Sequence, residues 1–239
     1  MKFDAIKTSM QTRLDAFTNN VRQEMEHAGR NPDELTIIGV SKLFPVEYAR
    51  AAVLLGLLDL GENRVSELLG KQEVLESQGL HPRFHLIGTL QTNKVKRIIG
   101  KTALIHSVDS IHLAEEISER SKSQGIVTSI LLQINISEEE SKHGFEKSEA
   151  EEAILKVSRF SGVDLHGLMT MAPIVPCAYT PRMVFSELKE LFDRMRSEVR
   201  DPEKWTTLSM GMSQDYVDAI HCGATHIRIG TSIFGPRTA

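Results

Sequence analysis

A chain of 239 residues with a formal net charge of −4, a quarter of it charged residues, is long enough to bury one large core. It has no block of like charge, which argues against nucleic acid or an acidic membrane surface as its main partner. Cys177 and Cys222 are the two cysteines; with no CxxC or Cys/His spacing, neither a disulfide framework nor a metal site is expected, and a reducing cytoplasm fits best.

No apolar stretch reaches membrane-spanning length, and the polar amino terminus carries no signal core. Ile6, Met10, Leu14, Phe17, Val21 and Met25 recur at spacings of three and four, which predicts one long helix over 3–27. Ala28-Gly29 ends it and Asn31-Pro32 turns the chain, so this helix should pack on the outside or base of the repeating part of the fold.

The run Thr36-Ile37-Ile38-Gly39-Val40-Ser41-Lys42 is β-branched and apolar, too short for a helix, and cut off by Pro45. It reads as a buried parallel strand that delivers Lys42 at its C-terminal end. From there the signals alternate: a helix at 45–55 and a strand at 58–61, a helix from Arg64 toward Gln78 and a strand at 84–88. A short helix at 94–99 precedes a strand at 103–108, and a helix at 111–123 precedes a strand at 126–136. A helix at 148–160 leads to a strand at 163–169, and a helix presenting Val184, Leu188, Leu191 and Met195 leads to a strand at 206–210. A short helix at 214–223 and a strand at 225–229 complete the pattern.

Eight strands, each followed by a helix or helical turn, mean a parallel sheet and favour closure into a (β/α)8 TIM barrel over an open doubly wound sheet. The expectation is a single α/β domain over 1–239, with an additional N-terminal helix in 1–30 and the barrel in 36–235.

Such barrels keep their chemistry at the C-terminal ends of the strands. Lys42 is either a solvated loop charge or a buried amine, its pKa lowered, able to attack a carbonyl as a Schiff-base lysine. The segments Leu208-Ser209-Met210-Gly211-Met212-Ser213 and Arg228-Ile229-Gly230-Thr231-Ser232 come after the seventh and eighth strands, where glycines let backbone amides approach a phosphate. Arg228 shares the face of Gly230 and should point into the barrel mouth, to meet an anion or an acceptor, pairing with a buried carboxylate being the commoner outcome. Together these features describe a phosphorylated carbonyl compound held by a lysine, with pyridoxal 5′-phosphate (PLP) the obvious candidate; a Schiff-base aldolase acting on a sugar phosphate is the reading from another class.

Seven ordered motifs extend this reading: Val40-Ser41-Lys42, Gly61-Glu62-Asn63-Arg64, His85 through Lys94, Lys142-His143-Gly144-Phe145, Gly167-Leu168-Met169, Ser209 through Ser213 and Arg228 through Gly235. With them the chain resembles the pyridoxal phosphate homeostasis proteins, small barrels similar to the N-terminal domain of alanine racemase. The resemblance implies that Lys42 forms the Schiff base, Arg228 contacts the pyridine nitrogen, Ser209, Gly230 and Thr231 take the phosphate, and Asn63 lies by the ring. Leu43-Phe44 departs from the family's more polar continuation and should make that rim more apolar.

An arginine at the pyridine nitrogen makes the ring a weaker electron sink than an aspartate would. Racemases of this fold class add a tyrosine from a second β-domain; this chain ends four residues after Gly235, and that domain is expected to be missing. Of Tyr48, Tyr179 and Tyr216, only Tyr179 looks able to reach the mouth. No catalytic residue is therefore assigned. The expectation is a cytoplasmic, monomeric PLP carrier or regulator in vitamin B6 and amino-acid homeostasis, with PLP-dependent apoenzymes as possible recipients; the alternative is a weak PLP enzyme such as an amino-acid racemase.

Overall fold

The computed structural model of the chain describes residues 3–138, 143–173 and 179–236. Lys142 and Cys177 lie outside the described residues. The strands are β1 (Thr36–Val40), β2 (Asp59–Glu62), β3 (Arg83–Leu86), β4 (Leu104–Val108), β5 (Thr128–Asn135), β6 (Phe145–Glu146), β7 (Val163–Met169), β8 (Thr207–Met212) and β9 (His226–Ile229). The helices are α1 (Phe3–His27), α2 (Val46–Leu54), α3 (Val65–Ser77), α4 (Val95–Ile98), α5 (Ile111–Ser123), α6 (Ala150–Ser158), α7 (Pro181–Met195), α8 (Tyr216–His221) and α9 (Thr231–Phe234).

All strand pairs are parallel, and the sheet closes in the order β1-β2-β3-β4-β5-β7-β8-β9, with β9 returning to β1. The expected eight-stranded barrel is borne out. Strand β6 is a two-residue addition on the edge of β5, too short to leave a hydrophobic pattern in the sequence.

Helix α1 spans the expected residues and buries Ile6, Met10, Leu14, Phe17, Val21 and Met25. It packs on the outside, against α2, α8 and α9. The eighth βα unit ends in only four helical residues, so α1 supplies the cover that a full-length last helix would give. Arg13 fixes the contact by donating to the carbonyls of Ile233 (2.8 Å) and Phe234 (3.4 Å). Among the described residues no helix is long and apolar enough to cross a membrane.

Strand alternation decides what faces inward. Thr36 lies at the base of the barrel, whereas Val40 and Lys42 line a cavity at its mouth; Gly39, between them, faces Leu57 and Phe234 on the outside. Strand β9 repeats the pattern, with His226 at the base and Arg228 and Gly230 at the mouth cavity. Pairing of Thr36 with His226 and of Ile38 with Arg228 sets the two strands level. Aliphatic side chains fill the layer between barrel and helices, where Leu60, Leu86, Ile105, Leu188 and Ile227 are fully buried.

Candidate functional site

The mouth cavity has a volume of about 260 Å³. Lys42, Asn63, Arg228, Gly230 and Thr231 all line it, and so do apolar Val40, Ile87, Met171 and Met212. Five of the six residues singled out from the sequence thus share one cavity. Ser213 and Gln214 complete its wall.

Lys42 is half-buried just beyond β1. The turn after it is tightly held. Phe44 N–H donates to the Ser41 carbonyl at 3.1 Å, Lys71 Nζ donates to the same carbonyl at 2.7 Å, and Leu43 N–H donates to Glu67 at 3.1 Å. Leu43 takes the left-handed conformation with φ 66°, a strain of about 1 kcal/mol for a residue with a Cβ. Leu43 points to solvent, and Phe44 packs on Tyr48 and Phe234. Neither lines the cavity, so the expected apolar rim is corrected: the tight turn sends both side chains elsewhere.

Behind the turn lies a buried pair. Glu62 accepts from Lys71 Nζ at 2.6 Å and from the Ser41 hydroxyl at 2.5 Å. Burial pushes the Glu62 carboxyl up, against the opposing pull of the Lys71 charge. The pair anchors the peptide before Lys42 to β2 and α3.

Asn63 is placed by a close approach of backbone. A Cβ on Gly88 would sit 2.5 Å from the Asn63 carbonyl oxygen and 2.7 Å from its Cα, nearer than any real contact. Only glycine lets the ends of β2 and β3 come together so that Asn63 and Ile87 form one wall.

Arg228 is buried and is held by two acceptors. It donates to the Ser209 hydroxyl at 2.5 Å and to the Thr170 carbonyl at 2.8 Å. Burial lowers its pKa to about 10, so it stays a cation at neutral pH. Among the described residues it has no carboxylate partner within ion-pair distance. It also lines the mouth cavity, and a guanidinium carries five N–H donors, more than these two bonds use.

Ser209 sits elsewhere than the sequence suggests. Expected at a strand end, it is inside β8, which runs to Met212 and shifts register against β9 between Ser209 and Met212. Its hydroxyl is fully buried and shared by Arg228 and by His106 Nδ1 at 2.8 Å. The rim position falls to Ser213. There Met212 N–H donates to the Asp215 carboxylate at 2.5 Å, and Asp215 N–H donates back to the Met212 carbonyl at 3.1 Å. This turn presents Ser213 and Gln214. A serine two residues past Gly211 is visible in the motif, but the extra residues of an irregular strand leave no mark in the pattern.

A polar chain runs on from Ser209 through the barrel interior. His106 Nε2 lies 2.9 Å from His85 Nδ1, and His85 Nε2 lies 3.0 Å from Asp59, which Arg83 also clasps at 2.7 Å. Burial first, then the charges of His85, His226 and Arg228, hold His106 well below its ordinary pKa, so it is neutral. Burial would raise Asp59, but hydrogen bonds from His85 and Arg83 overcome it and hold the carboxyl at about 2. With His106 neutral, a proton order from Arg228 to Ser209, Ser209 to His106, His106 to His85 and His85 to Asp59 satisfies every contact.

Residues present in the cavity fit a phosphorylated aldehyde. A Cβ on Gly230 would meet only Val40 at 3.8 Å, so the strand end opens onto free space that a ligand group can take. The amides of Ile233 and Phe234 bond the Gly230 carbonyl, at 3.1 and 2.9 Å, while those at the start of the turn have no partner within it. The amine, the cation and the apolar walls surround that space. None of the three tyrosines lines it: Tyr48 packs at a tilt against Phe44, Tyr216 likewise against Phe17, and Tyr179 packs on the hydrophobic core. Among the described residues no group of His, Cys, Asp or Glu side chains is arranged to hold a metal ion.

The barrel and its lysine-bearing mouth define a class, and comparison with known proteins agrees. Residues 12–238 match the family of the alanine racemase N-terminal domain. The pyridoxal phosphate homeostasis protein of Aquifex aeolicus is 40% identical over 227 residues, covering 94% of this chain and 97% of that protein; its counterpart in Pseudomonas aeruginosa is 35% identical, covering 91% of each. PipY of Synechococcus elongatus, solved with PLP bound, superposes with a TM-score of 0.81 at 30% identity, covering 95% of this chain and all of that one. An alanine racemase from Clostridium difficile shares the fold, with a TM-score of 0.71 at 17% identity over 96% of this chain and 57% of that one. The chain belongs to the pyridoxal phosphate homeostasis protein family, within the alanine racemase N-terminal domain family.

Proposed function

We propose that this protein binds pyridoxal 5′-phosphate as a Schiff base on Lys42 and serves as a non-catalytic carrier or regulator in intracellular PLP and amino-acid homeostasis, acting as a cytoplasmic monomer. The single observation that carries the reading is the convergence of Lys42, Arg228 and the Gly230-Thr231 strand end on one cavity walled by Val40, Ile87 and Met212. The homeostasis proteins it resembles and the PLP-bound PipY supply the cofactor's identity.

Bound there, the cofactor would supply an aldehyde able to exchange between amines and a ring able to withdraw electrons. Each residue then has a task. Lys42 offers its amine at the end of β1, and the Ser41–Phe44 turn keeps the stem aimed inward. Arg228 would be the donor to the ring nitrogen; a guanidinium has no proton to surrender at neutral pH, so the ring would be left a weak electron sink. Thr231, the backbone at Gly230 and the Ser213 turn would hold the phosphate, with Asn63 beside the ring. Ser209 is a positioning residue, acting through Arg228.

Catalysis of proton transfer needs an acid or base on the face opposite Lys42, and no tyrosine among the described residues lines the cavity. PLP-dependent apoenzymes are the proposed recipients. Turnover assays of the purified protein across amino acids test the non-catalytic half: no racemisation above that of free PLP is expected. Activity lost in Lys42→Ala would instead make it a weak enzyme.

A further inference from the structure

Two sequence motifs, Asn63-Arg64 and Gly88 through Lys94, have more residues than the cofactor cavity uses. The surplus meets in a second cavity of about 230 Å³, lined by Asn63, Arg64, Ser66, Thr89, Lys94 and Arg97 together with Val65 and Gln91. Among the described residues Asn63 is the one that lines both cavities. The volume is several times the ~30 Å³ share of a water molecule.

Its charge is one-sided. Arg64, Lys94 and Arg97 are cations, and among the described residues no carboxylate lines the cavity. Arg64 stands 3.5 Å from Glu67, while neither Lys94 nor Arg97 has an ion pair among the described residues. With Glu67 set against Arg64, two cationic charges are left over, the complement of a phosphate monoester near neutral pH, about −1.5 to −2. Helix α3, thirteen residues long, opens here, and its N-cap Arg64 makes no side-chain capping bond. The first-turn amides of Val65 and Ser66 therefore lack a cap at the cavity wall, where a helix end favours negative charge.

We propose that this cavity is a binding site for the phosphate group of a small phosphorylated molecule, held by Arg64, Lys94, Arg97 and the start of α3, beside the cofactor and separate from it. The site stands on its own residues and does not depend on which ligand Lys42 holds.

The test is calorimetric titration with inorganic phosphate of the full chain saturated with PLP, so that the phosphate-taking end of the cofactor cavity is filled. Saturable binding is expected, with acetate weaker by about tenfold or more, because a dianion engages more charge-assisted bonds than a carboxylate. Lys94→Ala/Arg97→Ala removes exposed or half-buried side chains that carry no packing role, and it should weaken phosphate by about tenfold or more. Lys122→Ala, at an exposed cation outside both cavities, should leave this binding unchanged. Absence of saturable binding, acetate binding as tight as phosphate, or a loss in Lys122→Ala equal to that in the Lys94/Arg97 pair would overturn the proposal. Failure of the cofactor reading would show separately, as a chain that takes up no PLP.

Discussion

Arg228 donates to the hydroxyl of Ser209 at 2.5 Å, and that hydroxyl passes its own proton toward His106 at 2.8 Å. The orientation of the cation at the cavity floor is thereby set from inside the barrel. Ser209→Ala strands one Arg228 N–H and His106 Nδ1, at a cost of about 1–3 kcal/mol for each buried group left unpaired. The expected outcome in chemical unfolding is a clear loss of stability together with weaker PLP binding. A phosphate ligand at this position would give the second effect without the first.

Lys71 and Glu62 form the buried pair behind Lys42. Lys71→Ala leaves a carboxylate without its cation in the interior and should destabilise the protein by about 3–5 kcal/mol. It also removes one of the two hydrogen bonds to the Ser41 carbonyl, leaving that from Phe44 N–H, so the Lys42 turn should loosen and PLP affinity should fall. Urea titration and a spectrophotometric binding curve on the same variant read both effects, and Glu62→Gln/Lys71→Met should recover much of the stability.

Gly88→Ala puts a methyl 2.5 Å from the Asn63 carbonyl oxygen. Backbone must move, which costs about 1–3 kcal/mol. Because the strand ends that separate carry Asn63 and Ile87, cofactor binding should weaken even though residue 88 does not line the cavity. Gly70, with nothing within 4 Å of a Cβ, is the control: alanine there should be neutral or slightly stabilising.

Acid should destabilise the fold through its buried histidines. Burial first, then the charge of His85, lowers His226 to about 4, and burial lowers His106 as well. Between the unfolded value near 6.5 and about 4, the unfolded chain binds protons that the native chain refuses, so stability is full above that window and falls as pH drops through it. His226 alone accounts for up to about 3 kcal/mol of this loss. Thermal midpoints from pH 7.5 to 4.5 should fall steeply for the parent chain and less steeply for His226→Asn.

Much of this molecule is readable from its letters, and the exceptions have physical causes. Helices 3–27 and 111–123 fall where the apolar spacing puts them, because an amphipathic stripe against a barrel is decided by local periodicity. Period-two alternation likewise carries Lys42 and Arg228 inward. Ser209 is misplaced because the irregularity in β8 depends on pairing with β9, which no single strand encodes. The sequence leaves Arg228 to meet an anion or an acceptor; which acceptors hold it, the Ser209 hydroxyl of β8 and the Thr170 carbonyl just past β7, depends on how the strands assemble. The histidine chain is invisible for the same reason, since His85, His106 and Asp59 come from three strands and meet only when the barrel closes.

The most direct measurement is borohydride reduction of the PLP-treated protein and then peptide mapping. The account predicts a yellow protein that is bleached by the reductant, with one phosphopyridoxyl group on Lys42 and none in Lys42→Ala. A reduced cofactor on any other lysine, or equal labelling when Lys42 is replaced, would contradict it.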